Sequence, residues 1–170
     1  MKFIIFLLFP VLGFAQKKFE KKVFFDKIEV LIPKELKDMP DEDWVLKYHN
    51  TSKPEVALSD ENGEINFLID LTEIPSTDAQ LIEFEKSKLN NMQKRHPDYT
   101  FLEEGAQLIN GKNFTFIKFS FDAVDQKVFN YYLYSIFEGK IIYFTFNCME
   151  KLKKDWGPAA DKIISSIQFR

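Results

Sequence analysis

Cysteine is nearly absent from this 170-residue chain: Cys148 stands alone. That excludes an intramolecular disulfide and any cysteine-built zinc cluster. Histidine is almost as scarce, with only His49 and His96. His96 closes an expected helix, where a cation suits the dipole, and His49 falls in a polar stretch, so neither reads as a metal ligand or catalytic base. Gly and Pro are too few to form a linker or a low-complexity tract. No charge sign dominates, with 23 Lys+Arg against 26 Asp+Glu and a net charge of −3. Phosphate backbones require clustered positive charge, so no nucleic-acid partner is expected. The motifs G-x-S-x-G and H-E-x-x-H, the P-loop and the dinucleotide fingerprint are all missing. The expectation is a non-enzyme without cofactor or metal.

What is present begins with Met1-Lys2, an apolar run Phe3 to Phe14, and Ala15. A single positive charge, a short apolar stretch and small residues Gly13 and Ala15 at the −3 and −1 positions mark a secretory signal peptide over 1–15, cleaved before Gln16. The run is shorter than the roughly 20 residues that span a bilayer. An exported chain, periplasmic or secreted, with no transmembrane anchor after cleavage is therefore expected. Lys17, Lys18, Lys21 and Lys22 follow, and residues 16–22 read as a mobile basic terminus. Residues 23–170 read as one domain, long enough to bury a core without staples.

Three turn signals organise that domain. Asn62-Gly63 and Asn110-Gly111 are strong two-residue hairpin sequences, and Glu138-Gly139 is a weaker one. A two-residue loop dictates which residues face each other, and facing residues share a side of the sheet. The first turn sets Leu58 against Phe67, Val56 against Ile69 and Ser59 against Asn66. The second sets Leu102 against Phe119, Glu103 against Lys118 and Ala106 against Thr115. The third sets Phe129 against Cys148, Tyr131 against Phe146, Leu133 against Phe144, Tyr132 against Thr145 and Tyr134 against Tyr143. Every register keeps one side more apolar. Strands are expected near 54–60, 64–74, 99–109, 112–122, 127–137 and 140–148, after an earlier one from Lys27 to Ile32 that stops at Pro33.

Two helices complete the pattern. Thr77 and Gln80 form a capping box, and Leu81, Ile82, Phe84, Leu89 and Met92 supply an apolar side before Lys94-Arg95-His96-Pro97 closes the segment. A second helix starts near Asp155 with Pro158 in its first turn, and buries Ala159, Ala160, Ile163, Ile164 and Ile167. Between 34 and 53, Pro40 to Asp43 reads as a loop followed by a short strand from Trp44 to Tyr48. The fold class is α+β, an antiparallel sheet meander flanked by helices.

Candidate chemistry is sparse. Glu103-Glu104 are strand neighbours that point to opposite faces, so they cannot act as a pair. Asp60-Glu61-Asn62-Gly63-Glu64 lacks the spacing of a calcium loop and is explained by the hairpin. Asn50-Thr51-Ser52 and Asn113-Phe114-Thr115 match the glycosylation pattern by chance. Cys148 falls on the apolar side and reads as a small hydrophobe.

Aromatics are the positive feature. The chain holds 19 Phe and 6 Tyr, and four of the phenylalanines leave with the signal. Phe129, Tyr131, Leu133, Phe137, Ile142, Phe144 and Phe146 share the core side of the last hairpin. Tyr132, Tyr134, Ile136, Ile141 and Tyr143 form its reverse. Tyr132, Tyr134 and Tyr143 are the candidate binding residues, since tyrosine couples an apolar body to a hydroxyl that seeks a partner. The alternative is that a helix or loop covers this side as a second small core.

An early strand ending in Ile32-Pro33, hairpins, a helix, an aromatic meander, Trp156 and the closing Ile163-Ile164-Ser165-Ser166-Ile167-Gln168-Phe169 resemble the PsbP/DcrB-like families over residues 23–170. The resemblance implies an α/β/α sandwich and a mostly non-enzymatic accessory role, with no catalytic residues to carry over. The expected function is an exported accessory or protein-binding domain of the bacterial cell envelope, with an unidentified envelope protein as partner. The second reading is a carrier of a small apolar or aromatic ligand.

Overall fold

The structure, a computed structural model, describes residues 17–49, 51–124 and 126–170. The expected signal peptide 1–15 and Gln16 lie outside the described residues. The strands are β1 (Phe19–Phe24), β2 (Ile28–Pro33), β3 (Lys37–Asp38), β4 (Val56–Ser59), β5 (Ile65–Pro75), β6 (Thr100–Ile109), β7 (Lys112–Asp122), β8 (Lys127–Phe137), β9 (Lys140–Met149) and β10 (Gln168–Phe169). The helices are α1 (Asp41–Tyr48), α2 (Leu81–Arg95) and α3 (Lys153–Ser165). Seven strands form an antiparallel sheet in the order β3-β4-β5-β9-β8-β7-β6, and β1-β2-β10 form a smaller one.

The hairpin registers follow from the turns. Asn110 and Gly111 both take positive φ (47° and 82°), as do Glu138 and Gly139 (50° and 79°), which is the geometry a two-residue hairpin requires. Around the last turn, Phe129 faces Cys148, Leu133 faces Phe144 and Tyr134 faces Tyr143, as expected. Leu58 faces Phe67 and Ser59 faces Asn66 across a longer loop at 60–64. One pair differs. A bulge at Leu102 sets Phe101 against Phe119 and leaves Leu102 48% exposed, while Glu103 still faces Lys118 and bonds it at 2.7 Å. Such an extra residue bends an edge strand away from further pairing.

Four local expectations are corrected. Residues 41–48 form α1, not a loop and a strand from Trp44 to Tyr48. Pro40 precedes the first turn, Asp41, Glu42 and Asp43 complement its dipole, and Trp44 and Tyr48 stack one turn apart at 4.1 Å. Within the basic terminus expected at 16–22, residues 19–22 belong to β1, paired along its length with β2. Lys17 sits over the Trp156 ring and Lys21 meets Glu29 at 3.2 Å, so sheet pairing and aromatic contact hold this segment in place. α3 starts at Lys153, which puts Pro158 inside the helix; its freed partner carbonyl, on Lys154, belongs to an exposed residue. Finally, Ile82 points outward from α2.

The large sheet is covered on its inner face and over part of its outer face. Its inner face (Phe67, Phe116, Phe129, Leu133, Phe144, Phe146) packs against α3 and the small sheet through Trp156, Ile163, Ile164, Ile28 and Ile32. Its outer face (Ile117, Phe119, Tyr134, Ile136, Ile141) packs under Leu81, Phe84 and Leu89 of α2. α1 covers a third, small cluster through Met39, Trp44 and Ala57.

Two buried groups give predictions. Cys148 lies on the inner face, and burial together with Glu150 pushes its thiol up to about 12. Thiol reagents are expected to leave the native protein unmodified and to label it only after unfolding; rapid native labelling would contradict this packing. Glu85 of α2 faces the sheet with Oε1 unpartnered among the described residues. Burial, reinforced by Glu104, raises its pKa above the ordinary 4.5. A raised folded pKa stabilises fully below the unfolded value, and that contribution is lost as pH rises through the folded value. Glu85→Gln is therefore expected to raise the melting temperature by a few degrees at neutral pH, with the gain vanishing near about pH 4. An equal gain at both pH values would exclude carboxyl ionisation as its cause.

Candidate functional site

The outer face of the sheet repeats in rows across β5, β9 and β8. Asn66, Asn147 and Asn130 stand side by side; next come Leu68, Thr145 and Tyr132, then Asp70, Tyr143 and Tyr134. α2 lies over the last row. α1 lies beside the first two, stacked on Ala57 and Leu68. Between the helices a groove of about 770 Å³ stays open. Its floor is Asn130, Thr145 and Asn147. Trp44 and Tyr48 form one wall, and Tyr99 and Phe121 the other.

The two walls are stiff for different reasons. Trp44 donates its indole N–H to the Thr51 carbonyl at 3.0 Å and stacks on Tyr48. Tyr99 is stacked between His96, at 4.4 Å, and Phe119 and Phe121, at 5.2 and 5.0 Å. Aromatic rings held in this way are preorganised surfaces.

Two polar atoms beside the floor are left without partners among the described residues. Asn66 Nδ2 donates to Asn147 Oδ1 at 2.7 Å, but Asn66 Oδ1 and the Tyr48 hydroxyl are sealed without partners among the described residues. The Asn147 carboxamide lies beside the Tyr48 hydroxyl, whose pKa burial raises, without closing a hydrogen bond of good geometry. Asn130, 4% exposed, makes only a long 3.5 Å side-chain contact, to the Val128 carbonyl, among the described residues. Leaving buried polar groups unpaired costs about 1–3 kcal/mol each. The matching inner row, Cys148 and Phe129, is apolar. Within the asparagine row that cost falls on one atom, Asn66 Oδ1, while the Asn66–Asn147 bond ties β5 to β9.

Charges sit at the ends of the groove. At one end, burial lowers the Lys47 ammonium to about 8 while Asp60 opposes the fall, and its Nζ donates to the Gly63 carbonyl. At the other, burial lowers Lys88 and raises Asp70, and the attraction between the two opposes both shifts. Tyr132 and Tyr143 are pushed up to about 12, chiefly by burial, so both hydroxyls stay protonated.

The three candidate tyrosines separate. Tyr132 and Tyr143 line the groove. Tyr134, 1% exposed, is closed beneath Phe84 at 5.5 Å and belongs to the second core. A helix thus covers part of the tyrosine face and leaves the rest open. Sequence reasoning missed the asparagines and the α1 wall. The arithmetic that pairs Phe129 with Cys148 also pairs Asn130 with Asn147, so two of the three asparagines were within reach. Asn66 joins it only through the β5–β9 pairing, which no turn encodes.

No protein-family model and no curated protein matches the chain. Solved structures do. Cyanobacterial PsbP (CyanoP) from Synechocystis sp. PCC 6803 matches with a TM-score of 0.63 at 15% identity, over 96% of this chain and 99% of that one. The Ran-binding protein Mog1p of Saccharomyces cerevisiae matches with a TM-score of 0.56 at 9% identity, over 90% and 96%. LpqN of Mycobacterium tuberculosis, involved in cell envelope biogenesis, matches with a TM-score of 0.55 at 14% identity, over 83% of each chain. Among the described residues no helix is long and apolar enough to cross a membrane. The resemblance read from element spacing holds at the level of architecture: this chain has the PsbP-like α+β fold.

Proposed function

We propose that this protein is an exported, non-catalytic binding domain of the bacterial cell envelope, with its ligand or partner seated in the groove between α1 and α2. One observation carries the reading. The open groove between the helices brings the Asn130 and Asn147 carboxamides and the Thr145 hydroxyl together between aromatic walls, a concave site with a few convergent polar groups. The non-catalytic part rests on the chemistry of the floor. Amides, a threonine hydroxyl and tyrosines held protonated bind and orient, while the groove's shifted charges stand apart from them at opposite ends, Lys47 at one and Lys88 with Asp70 at the other. The envelope assignment rests on the expected signal peptide and on the description of LpqN. Mog1p offers a case of this fold used for protein binding. A carrier of purely apolar molecules fits less well, because such cargo would leave the carboxamides unpaired.

The test separates folding from function. Replacing both partners of the Asn66–Asn147 bond, as Asn66→Leu/Asn147→Leu, is expected to leave the melting temperature unchanged or raised. The same variant is expected to lose crosslinks formed in intact cells from a photoreactive residue at Val124, an exposed position on the groove rim. A crosslinking pattern identical to that of the wild type would refute the groove as the binding site.

A further inference from the structure

The large sheet ends on one side in β3, two residues long, and on the other in β6, ten residues long. Among the described residues β6 pairs with β7 alone. The Asn110-Gly111 turn makes Ile109 and Lys112 the closing hydrogen-bonded pair, so bonded and non-bonded pairs alternate from there. The backbone N–H and C=O groups of Leu108, Ala106 and Glu104 therefore point away from β7, and none of them has a backbone partner among the described residues. The turn bounds this stretch at one end and the bulge at Leu102 bounds it at the other.

Ile109 faces the inner core, so Leu108, Ala106 and Glu104 share the outer row. That row runs from apolar to acidic. Leu108, 69% exposed, shares a recess with the exposed Ile82 of α2. At the other end Glu104, also exposed, stands by Glu85, which is 4% exposed and has Oε1 unpartnered among the described residues. Glu104 reinforces the burial that raises the Glu85 pKa, while Lys86 opposes it. On the inner row Glu103 already has Lys118, so the unmet negative charge lies on the outer row.

A free edge takes up an extended peptide through backbone groups and selects it through alternate side chains. In an antiparallel peptide, a residue opposite Leu108 lies over the apolar recess. The residue four positions later lies opposite Glu104, where a cation stands beside both carboxylates. A second copy of β6 fits worse: self-pairing centred on Ala106 sets Leu108 opposite Glu104 and brings no cation to the acidic end. We infer that residues 104–108 of β6 are a strand-addition site for an extended segment of another protein, with an apolar residue opposite Leu108 and a lysine or arginine opposite Glu104. None of these residues lines the groove between α1 and α2, so the two sites are tested independently.

The capped peptide Thr-Ile-Thr-Ala-Thr-Lys-Thr carries this pattern. Adding it to the mature protein is expected to slow hydrogen exchange at the Glu104, Ala106 and Leu108 amides, which gain partners. Glutamate in place of the peptide's lysine is expected to weaken binding about fivefold, and Glu104→Lys to reverse that preference. Ala106→Pro removes an outward N–H without breaking a bond to β7, and is expected to abolish binding while the protein stays folded. Equal affinity for the two peptides, or binding that leaves the three amides unprotected, would overturn the inference. So would binding of neither peptide, and so would protection that grows with protein concentration alone, which would assign the edge to a second copy of this chain.

Discussion

Phe144→Ala is expected to lower the unfolding free energy by about 3–5 kcal/mol, a large share of what a domain of this size possesses. Phe144 sits in β9, near the centre of the seven-stranded sheet, and is fully buried. On the inner face it lies between Ile69 and Leu133 in the adjoining strands. Its ring lies 6.5 Å from Phe67, 6.0 Å from Phe114 and 6.4 Å from Phe169. Those neighbours come from β5, β7 and β10, so truncation opens a cavity where both sheets meet. Strands held by their own ladders cannot collapse into that space, so most of the cavity cost remains. Urea denaturation measures it: the midpoint should fall with the slope unchanged. A loss below about 1 kcal/mol would mean that the two sheets do not share one packed interior.

Tyr134→Ala is expected to cost a similar amount, about 3–5 kcal/mol, on the opposite face. Phe84 of α2 and Tyr143 both meet the Tyr134 ring edge-on, at 5.5 and 4.9 Å. The ring therefore holds α2 against the sheet, and its removal should free that helix locally before the molecule unfolds. Hydrogen exchange gives the distinguishing result. Amides of α2 should lose protection more than those of α3, which packs on the other face. Tyr134→Phe keeps both edge contacts and is expected to retain most of the stability. Equal loss of protection in α2 and α3 would show that the two layers open together. Because α2 also contributes Lys88 to the groove, Tyr134→Ala should weaken groove binding without touching the floor.

These two residues show why one hairpin has two roles. Alternation along β8 and β9 sends Leu133 and Phe144 inward, and Tyr134 and Tyr143 outward. Turn chemistry alone fixes that alternation, and most pairings across the three hairpins follow from Asn110-Gly111, Glu138-Gly139 and the loop at 60–64. The exception, Leu102, depends on a bulge, which is one extra residue placed by packing and not by the turn. α1 was illegible for a related reason. Trp44 and Tyr48, four residues apart, share a face in a helix and in a strand alike, so periodicity over a few residues could not choose between them. β1 escaped notice because lysines at Lys21 and Lys22 mask the apolar residues of an edge strand, and charges of this kind are what such edges carry.

The chain by itself thus determined the α+β class, the hairpin registers, two of the three helices and the division of the aromatics between two faces. All of these rest on local rules: turn residues that accept positive φ, capping residues and side-chain periodicity. Only the tertiary structure decided which outward residues are sealed and which are open. Tyr132, Tyr134 and Tyr143 are alike in sequence context, yet α2 buries one and leaves two on a groove whose other wall is α1. The asparagine row became visible only when β5 joined β9, because residues 66 and 147 are brought together by a long-range pairing that no short stretch of chain encodes.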